Sequence, residues 1–483
     1  MSKSISKNAI FKAVLNMFNI ILPIIVMPLL TRSLGKDLYG YYGYGDSLTG
    51  YFLIFAGFGI SQYGLREISK VRDYKEKLES TFTSLFLITT ITNVLASASY
   101  MLYVWICYKD EPFYYTCLIL GFNIVSNTVY VEWVNEALEN YNFIAIKTMI
   151  VRIIYSALIL LFVRSKESYM FYLVLVVGFN FLNNIISFVY IKGKIKFNFS
   201  NLHLLSHIKP MIYVVILSNT GMLYTQLDKI MLKDTAGGTV SVGYYYAAQR
   251  IMTIIYIFLM TIIQVTMPRL SNYLGNDSKD KYISLLTKVI RIYFMLLFPA
   301  AIGLLCLSRE VISVFGSEFM PAVPVLIVFS IYMISLGIEG IIANQIIYLH
   351  RMEKYDAVLV LAGGIINLIL NVVLSKMNKL DMVTAIVTTL IANVIIIFLE
   401  YMMVKTKIKL DIRIFSFHNM KYLYYALLFI PITWLVKLLN LNMIITCFVV
   451  VVLCGLSYAL ILTFTKDEIY FELLGKVLKK IKK

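Results

Sequence analysis

The sequence is poor in charged residues and in the residues that build metal and disulfide sites. Only 15% of its 483 residues are charged, whereas about a quarter is usual for a soluble domain. It has five cysteines and four histidines. The cysteines lie in or beside apolar segments without metal-ligand spacing, and no histidine has a cysteine or carboxylate partner at ligand spacing. We therefore predict no metal site, no disulfide framework and no cofactor.

Several catalytic signatures are also absent. The sequence has no GxxxxGK[ST] phosphate loop, which argues against ATP hydrolysis by that route. It has no acidic or histidine cluster of the kind that membrane glycosyltransferases and acyltransferases place at a membrane face. It also lacks the large loop that is usual in polysaccharide polymerases. These absences predict a protein that is not an enzyme.

Apolar residues dominate instead. The sequence is 60% hydrophobic and its mean hydropathy is +0.79. A helix needs about 20 apolar residues to cross a hydrocarbon core. We predict an all-α integral membrane protein with about 14 transmembrane helices. The predicted spans are 10–30, 43–61, 83–107, 113–132, 143–163, 169–190, 210–232, 244–267, 285–307, 321–345, 356–375, 382–404, 421–437 and 442–464.

Basic residues set the predicted orientation. The net charge is +17, and most lysines and arginines lie in the termini and in alternate loops, which is typical of cytoplasmic segments. Both termini are therefore predicted to be cytoplasmic. Basic residues at membrane flanks also suit anionic lipid headgroups, so membrane lipids are the expected partners and nucleic acid is not. The basic tail, Leu473 to Lys483, is predicted to be either an amphipathic helix on the inner leaflet or disordered.

Polar and charged residues interrupt some of the apolar spans. An ionisable residue in a membrane helix normally faces a cavity or a partner, so each is a candidate functional residue. The seventh span places Ser218, Gly221, Thr225 and Asp228 on one helical face. The remaining candidates inside spans or at their ends are Asp46, Lys229, Gln249, Arg250 and Glu339.

Two stretches resemble each other. "LYGYYGYGDSL" begins at Leu38 and leads into the second span, and "SVGYYYAAQRI" begins at Ser241 and leads into the eighth. An offset of six helices preserves direction across the membrane, as in parallel repeats. We predict two six-helix lobes, residues 1–208 and 209–414, followed by two additional spans and the basic tail in residues 415–483.

Six segments together resemble a known family. They are "MPLLTRSLGKDLYGYYGY" from Met27, "QYGLREISK" from Gln62, "VEWVNEALENYNFIAIKTMIVRII" from Val131, "LDKIML" from Leu227, "VGYYYAAQRI" from Val242 and "MPRLS" from Met267. In this order they resemble the O-antigen and capsule repeat-unit flippases of the multidrug/oligosaccharidyl-lipid/polysaccharide exporter superfamily.

The resemblance implies a two-lobed transporter in the bacterial cytoplasmic membrane. Its cargo would be an undecaprenyl-diphosphate-linked oligosaccharide, moved by alternating access, and the polysaccharide polymerase machinery is a further possible partner. The resemblance makes Arg250 the first candidate for diphosphate contact and Arg32 the second, with Lys229 and Gln249 as further cavity residues. A proton or sodium ion on Asp228, Asp46 or Glu339 would couple the cycle.

Two alternatives stay open. A cation-coupled multidrug antiporter would have the same fold but would favour acids in its cavity. A membrane polymerase or ligase acting on the same lipid-linked glycan would need catalytic residues at the outer face, and none is evident in the sequence.

Overall fold

The long apolar runs become helices because a backbone inside lipid must satisfy its own hydrogen bonds. The computed structural model describes the backbone of residues 2–200 and 202–481, and the side chains of residues 15, 17–18, 21–200, 202–215 and 226–475. This part of the chain forms α-helices joined by turns and short 3-10 or π-helical segments. The α-helices are α1 Ser2–Gly57, α2 Ile60–Val71, α3 Lys75–Tyr108, α4 Tyr114–Ser126, α5 Glu132–Ala137, α6 Tyr141–Phe162, α7 Tyr169–Lys192, α8 Leu204–Leu232, α9 Gly238–Gly275, α10 Lys279–Cys306, α11 Ser308–Ser313, α12 Val323–Ile341, α13 Glu353–Lys376, α14 Met382–Met403, α15 Phe417–Leu427, α16 Phe429–Leu438, α17 Met443–Phe464 and α18 Glu468–Ile481.

Eleven helical segments among the described residues are long and apolar enough to cross a membrane. The remaining predicted spans, 10–30, 43–61 and 210–232, fall in α1 and α8. The all-helical, multi-pass membrane fold is therefore confirmed.

Glycine and proline mark two interruptions of the helices, the first between two predicted spans and the second inside one. The first two predicted spans are continuous in α1 except at Gly35, whose φ of 72° is readily adopted only by glycine. The thirteenth span is divided between α15 and α16 at Leu428. Pro431 explains this division, because its ring would clash with the carbonyl of Leu427 in a continuous helix.

The chain divides into two compact units. The first contains Met1–Tyr246 and Asn371–Asp381, and the second contains Ala247–Leu370 and Met382–Lys483. The lobes expected from the sequence repeat, 1–208 and 209–414, stay a prediction.

Aromatic residues fill part of the first unit's core. Trp133 of α5 is 1% exposed and Phe82 of α3 is fully buried. Their ring centroids lie 6.2 Å apart, and Phe82 stacks on Phe197 at 5.6 Å. Burying such large apolar surfaces fixes α2, α3 and α5 against one another.

Ion pairs hold the C-terminal helix to the second unit. Glu472 of α18 pairs with Lys288 of α10. Just before α18, Asp467 pairs with Lys421 of α15 and accepts a hydrogen bond from Tyr422. Burial raises the pKa of the Asp467 carboxyl, but the hydrogen bonds and the charge of Lys421 outweigh this and leave that pKa below its usual value. The tail is thus helical to Ile481, while its contact with the inner leaflet stays a prediction.

The two similar stretches meet in the first unit at a contact between glycines. A β-carbon placed on Gly243 of α9 would lie 3.0 Å from both the Cα and the amide nitrogen of Gly40 in α1. A β-carbon placed on Gly40 would overlap the backbone carbonyl of Thr239. Glycine at both positions therefore allows the two backbones to approach closely.

We predict that Gly40→Ala and Gly243→Ala each destabilise the protein by about 1 to 3 kcal/mol, because backbone atoms cannot give way as side chains can. Thermal unfolding in detergent measures the effect. Gly178→Ala in α7 is the control, since its β-carbon would meet no atom within 4 Å and alanine favours helix. Equal midpoints for all three variants would contradict the close contact.

Candidate functional site

Asp228 lies at the centre of a buried polar group in the first unit. Asp228 lies near the end of α8 and is fully buried. The Tyr245 hydroxyl donates a hydrogen bond to Oδ2 at 2.6 Å, and Asn371 Nδ2 donates to Oδ1 at 2.7 Å. Three helices, α8, α9 and α13, therefore supply one carboxylate and two donors. A buried carboxylate needs such donors because it has lost its contact with water.

The next tyrosine of α9 binds the second acid. The Tyr246 hydroxyl donates to Asp46 Oδ2 at 2.8 Å. Lys229 lies with its ammonium 5.3 Å from the centroid of the Tyr246 ring and is 3% exposed. Successive residues of a helix point about 100° apart, so Tyr245 and Tyr246 reach different acids. The first turns of α9 thus connect Asp46, Lys229 and Asp228 within one unit.

Further tyrosines pack around this group edge to face. Tyr246 contacts Tyr39 at 5.7 Å and Tyr42 at 5.9 Å between ring centroids. Tyr42 contacts Tyr172 at 5.2 Å. Because Tyr39, Tyr172 and Tyr246 are all buried, these rings stabilise the helix packing in the conformation described.

The two predicted arginines are more accessible than Lys229 and the acids. Arg32 of α1 and Arg250 of α9 are both exposed, and Gln249 is half-buried. Arg32 belongs to the first unit, whereas Gln249 and Arg250 belong to the second. The structure thus separates buried, hydrogen-bonded acids from exposed guanidinium groups.

Glu339 belongs to a different environment in the second unit. It lies near the end of α12, is half-buried and accepts a hydrogen bond from Asn393 of α14. It is therefore not part of the group around Asp228. The face predicted from Ser218, Gly221 and Thr225 lies outside the described side chains.

Sequence comparison then decides the family. The family described as "Polysaccharide biosynthesis protein" matches residues 5–274, which is more than half of the chain. The chain belongs to this polysaccharide biosynthesis family.

Two curated relatives of this family member are informative. It is 24% identical over 394 residues to a protein named as an O-antigen transporter from Escherichia coli (strain K12), a match that covers 78% of this chain and 91% of the relative. It is 28% identical over 163 residues to a protein named as the low-salt glycan biosynthesis flippase Agl15 from Haloferax volcanii, a match that covers 34% of each chain.

Solved structures show the fold. The family member matches "Lipid II flippase MurJ, inward closed conformation" with a TM-score of 0.69 and 14% identity, over 95% of this chain and 99% of that one. It also matches an inward-facing multidrug resistance MATE family transporter of the MOP superfamily, with a TM-score of 0.59 and 13% identity, over 81% of this chain and 100% of that one. These matches confirm the predicted superfamily fold. Together with the curated relatives they agree with a transporter of polysaccharide biosynthesis and not an enzyme.

The sequence did not single out Tyr245 or Asn371 as partners of Asp228. Tyr245 sits in a run of three tyrosines, and Asn371 lies 143 positions from Asp228. The available signal was the buried acid itself, which in a membrane helix requires a donor from elsewhere in the chain. Among the described residues, no group of three or more His, Cys, Asp or Glu could hold a metal ion.

We predict that Tyr245→Phe destabilises the protein by about 1 to 3 kcal/mol, because it removes a hydrogen-bond donor to the buried Asp228 carboxyl. The midpoint of thermal unfolding measures this. Tyr213→Phe in α8 is the matched control, since Tyr213 is 58% exposed. If both variants have the same unfolding midpoint as the wild type, the Tyr245 hydrogen bond does not stabilise the fold.

Proposed function

We propose that this protein is a flippase that moves undecaprenyl-diphosphate-linked oligosaccharides across the bacterial cytoplasmic membrane by alternating access. The observation that carries the proposal is the family match over residues 5–274. The curated relative that matches over 91% of its length is named as an O-antigen transporter, which supports a glycan as cargo.

The distribution of charge favours an anionic head group. Asp228 is fully buried and has two hydrogen-bond donors. Asp46 is half-buried and bonded to Tyr246. Arg32 and Arg250, in contrast, are exposed. A guanidinium binds phosphate oxygens through two parallel hydrogen bonds, so these arginines suit a diphosphate better than a cationic drug.

We assign diphosphate contact to Arg250 first and to Arg32 second, with Gln249 as a neighbouring polar contact. Lys229 is 3% exposed in this conformation, so it would reach the ligand only after the surrounding helices move. Asp228, Asp46 and Glu339 are the proposed candidates for binding the coupling proton or sodium ion, because each is an acid within a membrane helix.

We predict that Arg250→Ala lowers transport by about 10- to 100-fold, the loss of one charge-assisted hydrogen-bonding group. Arg250→Lys retains the charge but not the bidentate geometry, so it should restore part of the activity. Surface glycan is measured by complementation in a bacterium that lacks its polysaccharide flippase, at matched membrane expression. Arg269→Ala is the control because it removes an exposed arginine from the same helix.

Full activity of Arg250→Ala would remove Arg250 from the proposed site. Export of cationic drugs without glycan complementation would favour the multidrug antiporter. Accumulation of flipped but unpolymerised units in the null strain would favour a polymerase or ligase.

We predict that the C-terminus is cytoplasmic because lysines and arginines concentrate on that side. A fluorescent protein fused after Lys483 should therefore fluoresce, and alkaline phosphatase fused there should be inactive. Phosphatase fused after Lys166, in a loop predicted to lie outside, is the control and should be active. The reverse pattern would invert the proposed topology.

A further inference from the structure

Three carboxyl groups of the second unit come together at one end of α12, α13 and α14. Glu339 lies near the end of α12, Asp356 in the first turn of α13 and Glu400 near the end of α14. Glu400 interacts electrostatically with both of the other acids, and its carboxyl lies within hydrogen-bond reach of that of Asp356. Asn393 lies two turns before Glu400 on the same face of α14 and donates a hydrogen bond to Glu339.

The three acids have no cationic partner among the described residues. Other largely buried acids do have one. Glu310 lies 2.9 Å from the Lys437 ammonium, and Glu132 lies 3.1 Å from the Lys147 ammonium. Glu310 and Glu132 are thus paired with lysines, whereas the three acids of this cluster have no positively charged partner in the described part of the chain.

Unpartnered polar atoms lie inside the cluster. Glu400 is fully buried, and neither of its carboxyl oxygens has a protein donor. Asn393 is also fully buried; its amide nitrogen binds Glu339, whereas its Oδ1 has no donor. Oδ1 of Asp356 is likewise buried without a donor. Such buried acceptors are costly unless something that is not a protein donor satisfies them.

Two carboxylates cannot hydrogen-bond each other, since both are acceptors, whereas a carboxyl and a carboxylate can share a proton. We propose that Asp356, Glu400, Glu339 and Asn393 form a proton-binding site in which the Asp356 and Glu400 carboxyls share a proton. Release of that proton leaves two like charges close together in a low-dielectric interior, which favours a rearrangement of the helices.

The geometry favours a proton over a metal ion. No group of three or more acids, histidines or cysteines in the described part of the chain could hold a metal. A proton needs only the two oxygens of the Asp356 and Glu400 pair.

The backbone beside the cluster is unusual in two places. The π-helical segment Ile342–Ile347 directly follows α12, and the π-helical segment Val404–Ile408 directly follows α14. These segments contact each other. π-helical turns are rare and often lie at functional sites, and here each one follows a helix that supplies an acid.

Tyr256, Tyr282 and His350 of the neighbouring segments make backbone contacts beside the cluster, and among the described residues the charges that act on the three acids are their own. Tyr256 of α9 donates its hydroxyl to the Leu336 carbonyl, and Tyr282 of α10 donates to the Gln345 carbonyl. His350, beyond the first π-helical segment, contacts the Ile346 carbonyl through Nδ1. Protonation changes at the cluster therefore involve its own three acids.

The site would supply the driving ion for the proposed flippase, and to that extent it rests on the proposed function. Proton binding itself can be measured without cargo. Infrared difference spectra of the purified full-length protein, taken at acid and alkaline pH in sodium-free buffer, detect protonated carboxyl groups directly. We expect a buried carboxyl band in the wild type that is lost in Glu400→Gln and altered in Asp356→Asn.

Transport under an imposed pH gradient is the second measurement. In sodium-free proteoliposomes that contain undecaprenyl-diphosphate-linked glycan, the gradient should accelerate flipping by the wild type. We expect the acceleration of flipping by the pH gradient to be at least about 10-fold smaller in Glu400→Gln than in the wild type, which corresponds to about 1.4 kcal/mol. Glu353→Gln, an exposed acid one turn from Asp356, is the control and should behave as the wild type.

Several results would overturn the proton site. They are an unchanged carboxyl band in Glu400→Gln, a wild-type gradient response in that variant, or loss of the band when sodium is added at constant pH. Because Glu400→Gln is nearly isosteric, its unfolding midpoint identifies any effect that is due to misfolding. A wild type that shows the band but does not flip the glycan would refute the proposed function and leave the proton site standing.

Discussion

The close approach of α1 and α9 at Gly40 and Gly243 is the constraint on which the polar group of the first unit depends. A side chain at either position would push the backbones apart. At this separation the Tyr246 hydroxyl donates to Asp46 at 2.8 Å. The same helix then directs Tyr245 toward Asp228. Two residues without side chains therefore determine how two acids are hydrogen-bonded.

The acids of the two units differ in their hydrogen-bond donors. In the first unit, tyrosine hydroxyls and an asparagine amide donate hydrogen bonds to Asp228 and Asp46. In the second unit, Glu400 is fully buried without a protein donor. A satisfied carboxylate stabilises one arrangement of helices, whereas an unsatisfied one makes the arrangement depend on a small ligand. Protein donors therefore satisfy the acids described in the first unit, whereas Glu400 in the second unit depends on something other than a protein donor.

Much of the fold was predictable because membrane helices follow from hydropathy and length, which are local properties. The repeated Gly-Tyr-Tyr pattern also singled out the two stretches that contain Gly40 and Gly243, although it did not predict their contact. The interruption at Gly35 lies between the predicted spans 10–30 and 43–61. The one before Pro431 lies inside a predicted span and was not predicted, since an apolar run gives no sign of it. Both are explained by the backbone preferences of glycine and proline.

The site was only partly predictable. Asp228, Asp46 and Glu339 stood out as acids in apolar spans, but their donors come from distant parts of the chain. Glu400 and Asp356 were missed because each lies near the end of a predicted span, where an acid is usually solvated. The signal that was present is the run "IIIFLEYMM", in which Glu400 is the sole charge. Its partners became visible only once α12, α13 and α14 were placed together.

The attachment of α18 has a different physical character from the glycine contact. Lys288 and Glu472 are each 37% exposed at their side chains, so water, dissolved salt and lipid phosphates all compete for them. Gly40 and Gly243 offer nothing for an ion to screen. The contact of α18 with α10 therefore responds to ionic strength and to the lipid composition around it, while the crossing of α1 and α9 is insensitive to both.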